Sequence, residues 1–144
     1  MTMHFIARSS CLTLFFAAAV CAAEPDWKQV EESPTSKVLI QVSSIKASGA
    51  GKAFTYRVDF NETQKNTKNG KEYRSVVVKA LVVCSTRQMK RGEVNAFAEA
   101  GGTGAMVDTY LPAGDEARPF GVPPGNSDDK LLKFVCFLSP PAAK

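Results

Sequence analysis

Lys65, Lys68, Lys71 and Arg74 recur every three residues along one polar stretch, and Arg87, Lys90 and Arg91 follow. Cations at that spacing on an exposed segment can hold acidic polymers or acidic protein segments. The alternative role is that of a solubilising loop.

Other chemistries are narrowed by what the chain lacks. Its only histidine is His4, inside a segment that has the three parts of a secretory signal. Arg8 is the one charged residue before Glu24, Cys11 to Val20 is apolar apart from Thr13, and Cys21-Ala22-Ala23 puts small side chains at the cut. Cleavage after Ala23 is expected, with residues 1–23 removed and 24–144 forming one domain. A competing reading makes Cys21 the lipid-bearing N-terminus of a lipoprotein, although Val20 stands where a small residue suits that processing. Only then would a membrane be a partner. The apolar run is shorter than the roughly 20 residues a spanning helix needs.

Loss of residues 1–23 removes His4, Cys11 and Cys21 and lowers the net charge from +4 to +3 by removing Arg8. Without histidine, Ser-His-Asp and Cys-His triads and histidine-bearing zinc sites are excluded. The mild charge gives no reason to expect nucleic acid. No metal or cofactor is expected, and the chain reads as a non-enzyme. Cys84 and Cys136 remain, and in an oxidising compartment they read as one disulfide.

Other groups have simpler readings. GAGK (49–52) and GGTG (101–104) lack the spacing of a phosphate loop and read as turns. The doublets Glu31-Glu32, Asp115-Glu116 and Asp128-Asp129 read as solvated or helix-capping carboxylates. Asp59 and Asp108, on expected strands, could in principle meet as an acid-base pair, which would support a small hydrolase. Trp27, the only tryptophan, reads as a plug for the N-terminal segment. Asn61-Glu62-Thr63 fits the N-glycosylation pattern, relevant only in a eukaryotic host.

The elements that must position these residues are mostly strands, because apolar side chains alternate. KVLIQVSSI and FTYRVDF form a hairpin about residues 48–52, with Val38, Ile40 and Val42, then Phe54, Tyr56, Val58 and Phe60, on one face. Thr55, Arg57 and Asp59 point to the other, expected to be wet. Residues 61–71 contain no apolar side chain and end in Asn69-Gly70, which predicts a long exposed loop. YRSVVVKALVVC is a central strand with Val76, Val78, Ala80, Val82 and Cys84 facing the core.

EVNAFAEA has helix propensity, but GGTG and AMVDTY after it favour a second hairpin. A wandering Pro- and Gly-rich segment leads to NSDDKLLKFVCFL. Asn126 or Ser127 can cap a helix there, with Leu131, Phe134, Val135 and Leu138 on one face. Strand-like alternation of Leu132, Phe134, Cys136 and Leu138 is the competing pattern. The expected class is α+β, an antiparallel sheet with a C-terminal helix on one face tied by Cys84–Cys136.

WKQV, KVLIQVSSI, YRSVVVKALVVC, the Gly pair of GGTG and PPGNSDDKLLKFVC, in this order and spacing from Trp27 to Cys136, resemble the surface-adhesin protein E family of Gram-negative exported proteins. The resemblance implies about six antiparallel strands and a helix fastened by a disulfide to the concave face. It further implies a homodimer and adhesion to host proteins such as vitronectin and laminin, with the vitronectin-binding region falling at Lys71 and its neighbours. The expected function is therefore a non-enzymatic exported binding protein, in the periplasm, at the outer surface or secreted. A structural or accessory protein with a partner in the same cell is the alternative.

Overall fold

A computed structural model describes residues 26–138, so the expected signal segment and Cys21 lie outside the described residues. Six strands follow one another across a single antiparallel sheet: β1 (Trp27–Glu32), β2 (Ser36–Ser48), β3 (Gly51–Lys65), β4 (Glu72–Val83), β5 (Gln88–Glu99) and β6 (Thr103–Tyr110). A two-residue strand, β7 (Phe120–Gly121), pairs with the start of β5. One helix, α1 (Ser127–Lys133), runs on into a π-helical turn over Phe134–Leu138.

Register carries the alternation across the sheet. Val38 faces Val58, Val58 faces Val76 and Val76 faces Ala96, while Ile40, Tyr56, Val78 and Val94 form the adjoining row. Side chains opposite one another share a face, and this face meets α1. Ile40, Phe54, Val82 and Met89 pack with Leu131, Leu132, Phe134 and Val135 in one core cluster. Asn126 is the helix cap, its side chain accepting from the Asp129 amide at 2.8 Å. Cys84 and Cys136 form the expected disulfide, with both cysteines packed against the core.

The polar run expected as a loop over residues 61–71 is corrected. β3 continues to Lys65, and only residues 66–71 form the connection. A register break between Asp59 and Gln64 lets Gln64 pair with Tyr73 and Lys65 with Glu72. A bulge of this kind bends the ribbon, so strand pairing extends into a part of the hairpin with no core to cover.

The opposite face is drier than expected. A 3-10 turn at Ala100–Gly102 folds onto it, placing Gly102 against Val77 and Arg57. Arg57 and Asp59 pair at 3.0 Å with side chains 12% and 16% exposed. Arg57 also donates to the Gly101 carbonyl, Asp59 accepts from the Gly101 amide, and the Arg57 guanidinium lies 4.6 Å from the Trp27 ring centroid. Beneath the turn, Ser75 is fully buried, donating to the Glu99 carbonyl and accepting from the Gly102 amide.

Candidate functional site

The β3–β4 connection is short, polar and internally bonded. The Gly70 amide donates to the Asn66 carbonyl and the Asn66 amide to the Lys71 carbonyl, both at 2.8 Å. Asn66 and Asn69 side chains accept from the amides of Lys68 and Lys71, turns that these short amides favour. Gly70 supplies the positive φ, 72°. The connection is also pinned to β6: Asn66 donates to the Asp108 carboxylate at 2.7 Å and Asn69 to the Val107 carbonyl at 3.0 Å. Lys68 Nζ lies 5.0 Å from the Tyr110 ring centroid.

Lys65, Lys68 and Lys71 are all exposed on this pinned tip. Among the described residues none of them joins an ion pair. Arg74 is placed differently. Its guanidinium reaches back to the carbonyls of Phe60 and Asn61, at 3.4 and 3.0 Å, across the bulge in β3. Its buried Nε has no protein partner among the described residues.

The second basic group is divided. Lys90 is exposed, whereas Arg91 grips both oxygens of Asp128, at 2.7 and 2.9 Å, and donates to the Tyr56 hydroxyl. Arg87 pairs with Asp129, which Lys133 also meets at 2.9 Å. Two of the three carboxylate doublets therefore do more than cap or hydrate. Asp129 and Asp128 hold α1 to the β4–β5 end of the sheet, and Glu31 holds Lys130 at 2.7 Å. The Gly125 amide, Lys133 and Arg87 keep the Asp129 carboxyl far below the usual carboxylate range. Lys130, then Ser127, lower that of Glu31.

Asp59 and Asp108 do not form a pair: they stand in rows on opposite faces, one bound by Arg57 and the Gly101 amide, the other by Asn66. GAGK and GGTG lie at the β2–β3 and β5–β6 turns, as their spacing indicates. Among the described residues no group of three or more His, Cys, Asp or Glu could hold a metal, and no helix is long and apolar enough to cross a membrane.

Where α1 leaves the sheet uncovered there is a groove of about 570 Å³. Val76, Val78, Val94 and Ala96 floor it, and Phe60, Tyr73 and Tyr110 add rings. Phe60 and Tyr73 meet edge to face at 5.8 Å. Lys65, Asn66, Thr67 and Lys68 line it from the hairpin, Arg91 and Glu116 from the other side. Sequence reasoning found the lysines but missed this groove, because residues 66–69 reach β6 through a bulge in β3 and two asparagine ties, neither of which leaves a periodicity. The parity of Phe60, Val76 and Val78 was its only visible signal.

Comparison with known proteins bears on this arrangement. The family described as Surface-adhesin protein E matches residues 27–137. Crystal form II of Haemophilus influenzae protein E superposes with a TM-score of 0.57 at 12% identity, covering 76% of this chain and 93% of that one. Protein E from non-typeable Haemophilus influenzae gives 0.56 at 13% identity, covering 81% and 78%. At these identities the likeness to solved structures is one of fold. No curated protein sequence matches the chain.

Proposed function

The chain belongs to the surface-adhesin protein E family, and from that premise we propose that it is a non-enzymatic binding module of the bacterial envelope that holds acidic segments of a protein partner on Lys65, Lys68 and Lys71. Membership itself implies a surface adhesin, exported or at the surface. The finer reading places it on the outer face of the cell, with host matrix or serum proteins such as vitronectin or laminin as partners.

One observation carries the proposal: three exposed lysines without ion-pair partners among the described residues stand on a tip fixed by Asn66–Asp108 and Asn69–Val107. A fixed tip loses less conformational freedom on binding than a floppy one. Arg74 acts as a positioning residue, holding the bulge below the tip.

The test is capture of immobilised vitronectin and laminin, alongside envelope extract of the producing cell, by wild type and by a Lys65→Ala/Lys68→Ala/Lys71→Ala variant. Removing three charge contacts should weaken capture about tenfold or more, and wild-type binding should fall with added salt. Equal capture by both proteins across the salt series would overturn the lysine assignment. Capture from envelope extract alone would replace the host partner with one from the same cell.

A further inference from the structure

We propose that the groove between the β3–β4 hairpin and β6 binds a single-chain amphiphile with an anionic head, of the fatty-acid class, its tail on Val76, Val78, Val94 and Ala96 and its carboxylate at Lys65 and Lys68.

Size and lining come first. About 570 Å³ falls within the roughly 300–1,000 Å³ of ordinary small-molecule sites. Four aliphatic side chains with Phe60, Tyr73 and Tyr110 supply the apolar part of the lining, and polar side chains at the hairpin and at Glu116 supply the rest, a mixed lining that suits an amphiphile. No part of α1 lies among the residues that line it.

Charge fixes the orientation. Around the helix-bearing face Arg87, Arg91, Lys130 and Lys133 each have a carboxylate partner. Lys65 and Lys68 have none among the described residues, and the nearby Asp108 carboxylate already accepts from Asn66. The other lining carboxylate, Glu116, belongs to the Gly114–Ala117 turn and shares a neighbouring pocket with Arg91 and Phe120. Lys65 and Lys68 outnumber the Asp108 carboxylate at the hairpin end, so an anionic head is favoured there and disfavoured beside Glu116. The two asparagine ties hold the lysine-bearing connection over the floor before any ligand arrives.

This site goes beyond the protein-binding reading: it shares two lysines with it but has its own floor. The experiment is equilibrium dialysis of the intact, disulfide-bonded protein against labelled dodecanoate, dodecanol and dodecyltrimethylammonium. Wild type should take up one dodecanoate saturably and prefer it to dodecanol by about tenfold, the worth of one charge-assisted contact. Lys65→Ala/Lys68→Ala should erase that preference and leave dodecanol uptake unchanged. Ala96→Phe, which fills the floor without touching the tip, should abolish uptake of both while sparing lysine-dependent protein capture. Should that variant fail to fold, Val76→Thr serves, with a several-fold loss expected. Absence of saturable uptake by wild type, unchanged uptake in a folded floor variant, or equal uptake of the cationic amphiphile would each overturn the proposal.

Discussion

Arg87 reaches across 42 residues of sequence to pair with Asp129, a carboxylate only 1% exposed. It does so from a turn where its own φ is 51°, the left-handed region that favours glycine. A glycine there would relieve the backbone but have no side chain to send to α1. The same residue's carbonyl accepts from the Val122 amide at 2.9 Å, beside β7. One turn thus fixes both the helix and the strand that leads to it.

That pairing sets an acid limit on stability. Asp129 titrates far below its ordinary value when folded, so the unfolded chain binds the proton more readily. Its stabilising contribution is fully present above the unfolded carboxylate value, about pH 4, and is lost as pH falls from there towards the folded value. Glu31 acts in the same direction. Thermal unfolding of wild type should move to lower temperature below about pH 4, whereas Asp129→Asn should start lower at neutral pH and show a shallower acid decline. Parallel pH profiles for the two proteins would show that Asp129 does not set the limit.

The bridge between Cys84 and Cys136 spans 52 residues of sequence. Closing a loop of that size removes unfolded-state entropy worth about 4 kcal/mol on the chain-entropy model. A Cys84→Ser/Cys136→Ser variant should lose stability of that order in urea titration, with the α1 amides exchanging hydrogen fastest. Unchanged stability would mean that the ion pairs and the apolar face of α1 hold the helix unaided.

Ser75 bonds two backbone groups beneath the Ala100–Gly102 turn. Ser75→Ala should cost about 1–3 kcal/mol, because the Glu99 carbonyl and the Gly102 amide would lose a partner in a buried place. The turn's amides should then exchange faster than those of α1, the reverse of the disulfide variant. A cost below a few tenths of a kcal/mol would mean that water replaces the hydroxyl.

Much of the sheet was legible because its signals are local. Val38 and Ile40, Phe54 and Tyr56, and Val78, Ala80 and Val82 are buried on the face that their alternation indicates. Leu131 and Val135 resolve the competing patterns near the C-terminus in favour of a helix, with Asn126 as its cap. What escaped depends on distant partners. Asn61 to Lys65 carry no apolar signal, yet they extend β3 because Tyr73 and Glu72 lie opposite. Thr55, Arg57 and Asp59 alternate as a wet face should, but a turn some 40 residues later covers two of them. β7 is too short to leave a periodicity. Of the basic residues, the exposed lysines could be read from a polar run, while the inward turn of Arg74 rests on a bulge that no spacing announced.

The bridge has another consequence. Leu111, 73% exposed, and the Gly114–Ala117 turn lie inside the covalent ring that Cys84 and Cys136 close. A protease that cuts once in this exposed segment leaves two fragments still joined by the bridge, with the sheet up to β6 on one and α1 on the other. Such a nicked molecule stays in one piece until it is reduced, and outside a cell that is a form of durability that burial alone could not give.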